Sequence, residues 1–128
     1  TFTIPEASDA GVRTMTAPVE QDGITLQSIK ATPAATKVLL TFPPEQHWVS
    51  VKLYTADGTE LGHERGEGGW WVDGDWAADP ADTDHPDQST KASRDYFDAV
   101  PENCRSLTIR VYDWDTNAEL TTFSVDLP

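Results

Sequence analysis

The densest run of residues able to do chemistry lies between Gly66 and Asp87, where the chain reads GEGGWWVDGDWAADPADTDHPD. Asp73, Asp75, Asp79, Asp82 and Asp84, with Asp87 behind them, could bring several carboxylates around one hard cation. Calcium is the ion such a set would suit, because it takes about six to eight oxygen ligands and tolerates flexible geometry. The register of a helix–loop–helix calcium loop, Asp-x-Asp-x-Asp-Gly with a later Glu, is absent. A solvated acidic loop is therefore the favoured reading, with calcium the alternative. Three indoles interleave with these acids: Trp70, Trp71 and Trp76. An indole offers a broad apolar face and a polar N–H together, which suits a sugar ring, a peptide or a protein partner. The competing reading is packing. Neighbours on a strand face opposite ways, so one of Trp70 and Trp71 is expected to be buried and the other at least partly exposed.

Elsewhere the chemistry thins out. His47, His63 and His85 show no metal-ligand spacing, and zinc would want three or four such donors, so they read as isolated surface residues. Cys104 stands beside a strand start with no base motif and reads as a small buried thiol. Asp113-Trp114-Asp115-Thr116-Asn117 resembles the start of a cation loop, but it falls where a hairpin turn is needed, and Asp and Asn are ordinary turn residues. Carboxylates are abundant, yet nothing in the sequence holds two of them at a working separation. There is no Gly-x-Ser-x-Gly elbow and no phosphate-cradling glycine loop. Catalysis is not expected.

The totals narrow the partners. At 128 residues the chain reads as one domain, 1–128, large enough to bury a core without staples. Twenty-two acidic residues against nine basic ones give a formal net charge of −13. Such a surface repels nucleic-acid phosphates and anionic lipid headgroups, both of which recruit proteins through Lys and Arg. No apolar run approaches the ~20 residues of a membrane helix, so any tether to a membrane is expected to lie outside this chain. The start at Thr1, without Met or signal peptide, reads as a piece of something longer. A single cysteine excludes an intrachain disulfide. Low Cys with abundant Asp, Thr and Trp is compatible with a bacterial surface protein.

The elements that must position these residues are strands. Ile24–Ala31 and Thr36–Phe42 are joined by Thr32-Pro33-Ala34-Ala35. Val38, Leu40 and Phe42 point one way and Lys37, Leu39 and Thr41 the other, the period-2 signature of a strand with one buried face. Ile29 breaks the phase begun by Ile24 and Leu26, which predicts a β-bulge near Ser28. Val49–Thr55, Leu107–Asp113 and Thr121–Leu127 repeat the alternation. Asp57-Gly58 is the strongest hairpin signal, with Glu60–Arg65 returning antiparallel. Weaker strands are expected at Val12–Val19, at Trp70–Val72 and around Arg94–Ala99, the first at a sheet edge because Pro18 cannot donate to a ladder. Residues 1–11 read as a linker or edge strand, and 66–88 as one long acidic, Trp-rich loop. Together these predict an all-β, immunoglobulin-like antiparallel β-sandwich of seven to eight strands.

The order of segments also resembles a family. Asp22-Gly23-Ile24-Thr25-Leu26, then Thr36–Phe42, then Leu53-Tyr54-Thr55-Ala56-Asp57-Gly58 come first. Tyr96-Phe97-Asp98-Ala99-Val100-Pro101, Ser106-Leu107-Thr108-Ile109 and Phe123-Ser124-Val125-Asp126-Leu127-Pro128 follow. Over roughly Asp22 to Pro128 this is similar to the extracytoplasmic immunoglobulin-like domains of bacterial membrane-anchored, anti-sigma-factor-like proteins. The resemblance implies a non-enzymatic sensing or protein-interaction module at the bacterial cell surface, with no catalytic residue to carry over. The alternative is a carbohydrate-binding module that uses the Trp-rich loop, with calcium in a structural role. In either case the partner is an unspecified protein or glycan.

Overall fold

The computed structural model describes residues 12–15, 18–72, 74–77, 90–101 and 103–127. In chain order the strands are β1 (Arg13–Met15), β2 (Val19–Gln21), β3 (Ile24–Ala31), β4 (Thr36–Phe42), β5 (Val49–Thr55) and β6 (Glu60–Leu61). They continue as β7 (His63–Val72), β8 (Asp75–Ala77), β9 (Lys91–Phe97), β10 (Ser106–Asp113) and β11 (Glu119–Asp126). No helix occurs among the described residues, and so none long and apolar enough to cross a membrane. All the strand pairs are antiparallel. One sheet runs β1-β3-β4-β9-β7-β8, with β2 also on β3, and the other runs β11-β10-β5-β6. The core orders β3-β4-β9-β7 and β11-β10-β5-β6 are the ABED and GFCC′ arrangement of an immunoglobulin-like sandwich.

The apolar alternation has the expected consequence. Leu26, Val38 and Leu40 from the first sheet meet Leu53, Ile109 and Val111 from the second, and all six are fully buried. In β3 the pairing passes from Leu26↔Leu40 to Ser28↔Leu39, so Gln27 is the extra residue of a bulge. The bulge restores phase: Ile24, Leu26, Ile29 and Ala31 all reach the core despite their uneven spacing. Gln27 then turns its amide onto the Thr41 hydroxyl, 2.9 Å away. Asp22 and Gly23 both adopt positive φ, 54° and 83°, and close a two-residue hairpin between Gln21 and Ile24. Pro18 separates β1 from β2, and both short strands lie on the outer edge of β3, as a residue without an N–H requires. Cys104 is buried, its thiol donating to the Ser106 carbonyl at 3.0 Å.

Four short elements, β1, β2, β6 and β8, carry the strand count past the predicted seven to eight, and one long element replaces part of a predicted loop. β9 begins at Lys91 rather than Arg94. The return after Asp57-Gly58 pairs with β5 only through Leu61 and Glu60, after which the chain leaves that sheet for the other. Gly66–Val72 belongs to β7, and Asp75–Ala77 folds back on it as β8. Residues 78–88 of the predicted loop lie outside the described residues, as do residues 1–11. The glycines explain the correction. They are poor strand formers in isolation, but β7 needs them, because other side chains occupy the space their Cβ atoms would fill. At Gly69 an added Cβ would sit 2.5 Å from the Ala77 carbonyl oxygen and 2.6 Å from the Trp76 ring. Backbone cannot yield as a flexible side chain can, so Gly69→Ala is expected to cost about 1–3 kcal/mol and to loosen the β7–β8 hairpin. Chemical denaturation with the Trp76 indole resonance as reporter checks this; an unchanged midpoint and resonance would contradict the packing described.

Candidate binding cleft between the sheets

β6 is only two residues long, so the β5–β6 edge of the second sheet ends early. Gly62 carries the chain across. Its carbonyl accepts the Asp98 N–H at 2.9 Å, and a Cβ there would meet the Asp98 carboxylate at 2.7 Å. Beyond the crossing, β7 and β9 extend past the end of the opposite sheet and leave part of their inner face uncovered. The result is an open cleft of about 620 Å³. Trp48 and Trp114 stand at it, Glu60 lines it from β6, and His63, Ser93 and Asp95 line it from β7 and β9.

Each wall has a cause in the sequence. On β9, period-2 alternation places Ser93, Asp95 and Phe97 on the inner face, and all three are buried. On β7, the register Gly66↔Asp95 and Gly68↔Ser93 sets two glycines directly beside them. Their missing side chains are what the site uses. The Asp95 carboxylate occupies the space above Gly66, where a Cβ would lie 2.4 Å from Oδ1. The Trp48 ring occupies the space above Gly68, 3.1 Å from the corresponding Cβ position. Trp48 is further held edge-on by Phe42 at 5.9 Å and Trp70 at 6.0 Å, with the Lys91 ammonium 4.8 Å from its centre. A register shift between His63 and Arg65 brings His63 in beside Phe97, ring centres 5.1 Å apart.

Asp95 is the polar centre. Ser93 Oγ donates to Oδ2 at 2.7 Å, and His63 Nε2 lies 2.9 Å from Oδ1. The Asp95 side chain is 6% exposed and that of His63 44%, so the imidazole links a buried acid to the cleft surface. Ser93 points its hydroxyl at the carboxylate and not at the imidazole, which differs from a Ser–His–Asp nucleophile relay, where the histidine takes the serine proton. The arrangement suits a fixed acceptor for a donor or cation entering the cleft.

Burial pushes the Asp95 carboxyl above its ordinary value, outweighing the hydrogen bonds from Ser93 and His63 that pull it down. A carboxyl raised on folding holds its proton more tightly in the native state, so its ionisation opposes folding. Stability from this group is greatest below the unfolded value of about 3.9 and falls as pH rises from there through the raised native value. Asp95→Asn removes that dependence. The difference in melting temperature, variant minus wild type, is expected to grow with pH across this window and then level. Parallel profiles across the window would contradict it.

The residues singled out in the sequence are divided among several places. Trp70 and Trp71 face opposite ways, as alternation requires, but neither is buried as one of them was expected to be, because Trp70 faces the open cleft and not the closed core. Trp70 packs on Trp48 at the cleft, while Trp71 pairs across strands with Trp76. Trp76 lies over Gly69 with the Arg94 guanidinium 3.8 Å from its ring centre. All three are half-buried, and they share no single platform. The large exposed indoles are Trp48 at 37% and Trp114 at 68%. Asp75 is exposed and accepts its neighbour's N–H, from Trp76, at 2.8 Å. Asp73, Asp79, Asp82, Asp84 and Asp87 lie outside the described residues. Among the described residues no group of three or more His, Cys, Asp or Glu is arranged to hold a metal. Asp113 closes its hairpin as expected of a turn residue. Its carboxylate accepts the N–H of Thr116 at 3.0 Å and of Asp115 at 2.9 Å, and these bonds, Thr116 first, hold it below the usual carboxylate range.

His63, Ser93, Asp95 and Trp48 were not identifiable as one site from sequence. The signal was faint but present: Ser-x-Asp and Gly-x-Gly, each at the spacing of one strand face. Comparison with known protein families, with curated proteins and with solved structures finds no match to this chain.

Proposed function

We propose that this domain is a non-enzymatic recognition module that holds a partner in the cleft between β5–β6 and β7–β9. In this reading it serves as an extracytoplasmic sensing or protein-interaction part of a larger bacterial envelope protein. The observation that carries the proposal is the cleft itself, with two exposed indoles beside a buried, hydrogen-bonded carboxylate. Exposed aromatic residues set around a partly apolar hollow are what binding hot spots are made of. The cell-surface setting is supported by the segment resemblance and the acidic, cysteine-poor composition.

Trp114, two-thirds exposed, also favours a second reading in which the cleft stacks a sugar ring. Tryptophan fluorescence titrations against short peptides and against oligosaccharides separate the two. Peptide binding that is lost in Trp114→Ala, with the melting temperature unchanged, supports the first reading; the same behaviour with an oligosaccharide supports the second. Turnover of a bound probe into a product would overturn the non-enzymatic reading.

A further inference from the structure

β7 pairs with β9 along one side, but β8 covers its other side only at Trp70, Trp71 and Val72. Among the described residues no strand lies along the remaining edge. His63, Glu64, Arg65, Gly66 and Gly68 are exposed there. An unpaired strand edge is a row of backbone donors and acceptors ready for another strand. This edge also forms one lip of the cleft. Two of its inward positions, Gly66 and Gly68, carry no side chain, and His63 turns its ring in beside them. A side chain on a strand laid beside β7 would therefore pass over the glycines and meet Asp95 and Trp48 directly.

The charge around this edge selects the occupant. Glu60 and Glu64 are exposed, and Asp95 lies behind them. The neighbouring basic groups already have partners: Arg65 stacks over Tyr96 at 4.3 Å, Lys52 over Tyr112 at 5.5 Å, and the Lys91 ammonium stands 4.8 Å from the Trp48 ring centre. Lys91 donates to the Gln46 carbonyl at 2.8 Å. A second copy of this chain would bring another −13 to the same edge, which disfavours self-pairing.

We propose that the β7 edge accepts an extended segment of a basic partner protein as an added strand, with one Lys or Arg side chain reaching over Gly66 and Gly68 to Asp95 and the Trp48 ring. This rests on the cleft being the recognition surface. Backbone pairing supplies affinity in such strand addition, and side-chain pockets supply selectivity. The buried carboxylate, whose ionisation is opposed by desolvation and whose ion-pair partner is the half-exposed His63 imidazole, gains a permanent positive charge beside it. The Trp48 ring, which already holds the Lys91 ammonium at 4.8 Å, adds apolar contact to the stem of the entering side chain.

The test uses an array of short peptides alternating lysine or arginine with valine or threonine, read by fluorescence anisotropy and hydrogen exchange. Its controls are the same peptides with glutamate for the basic residues, the same peptides N-methylated on alternate backbone amides, and the oligosaccharide panel. The basic peptides are expected to bind and to protect backbone amides of β7 from exchange. Glutamate replacement or N-methylation should weaken binding by about tenfold or more. The double variant Glu60→Lys, Glu64→Lys should weaken it comparably without moving the melting temperature, since both side chains are exposed. Binding that ignores N-methylation, or an oligosaccharide bound in place of peptide, overturns strand addition while leaving the cleft as a recognition site. A dimer formed through β7 overturns the basic partner. No binding by any peptide or sugar in the panel overturns both proposals.

Discussion

Leu40→Asp is expected to abolish the cooperative native fold. Leu40 is fully buried at the middle of β4, paired with Leu26 on β3 and Ser93 on β9. Aspartate there loses the apolar contact and sets a carboxylate among Val38, Ile109 and Val111 with no counter-charge. Such a change costs more than about 4 kcal/mol, a large share of the ~5–15 kcal/mol that holds a domain together. Urea denaturation followed by circular dichroism should show no native baseline, or a midpoint moved close to zero denaturant. A soluble variant with an unchanged midpoint would mean that the strand phase assigned to β4 is wrong.

Phe97→Ala is expected to cost about 3–5 kcal/mol, as large-to-small changes at fully buried aromatic positions do. Phe97 ends β9, is completely covered, and meets the His63 ring edge-on at 5.1 Å. It is both core and support for the cleft. The variant should therefore melt earlier and also shift the His63 imidazole resonances, because the ring loses the wall that orients it. Phe97→Leu, which keeps most of the volume, should restore the greater part of the stability. A loss below about 1 kcal/mol in Phe97→Ala would show that the cavity collapses freely and that the cleft is not built on this ring.

Where local alternation decides an element, the sequence was sufficient. β3, β5, β10 and β11 each bury one face by period-2 spacing, and even the bulge announced itself through the displaced Ile29. β4, at the middle of its sheet, follows the same phase but also covers Leu39 and Thr41 on its other face. β7 was illegible for a physical reason. Gly66, Gly68 and Gly69 read locally as strand breakers, yet they are required because Asp95, Trp48 and Trp76 occupy the space beside them. For Gly66 and Gly68 that requirement comes from residues 29 and 20 positions away in the chain, and for Gly69 from Trp76 across the β7–β8 hairpin, so no strand-length pattern encodes it. The same distance hid the site. His63 and Asp95 are 32 residues apart and meet only once β7 pairs with β9. The Trp-rich stretch was prominent by composition, but its indoles were divided between two faces by the alternation that made them conspicuous.

The recognition proposed for this domain takes place at the cleft between β5–β6 and β7–β9. Amide and indole chemical-shift mapping, with the basic alternating peptide titrated into the isotope-labelled chain, tests it most directly. The account predicts shifts at the backbone amides of Gly66 and Gly68, at the indole N–H of Trp48 and Trp114, and at the His63 ring, with Trp71 and Trp76 on the opposite face unmoved. Shifts gathered instead on Trp71, Trp76 and Arg94, with the cleft silent, would contradict it.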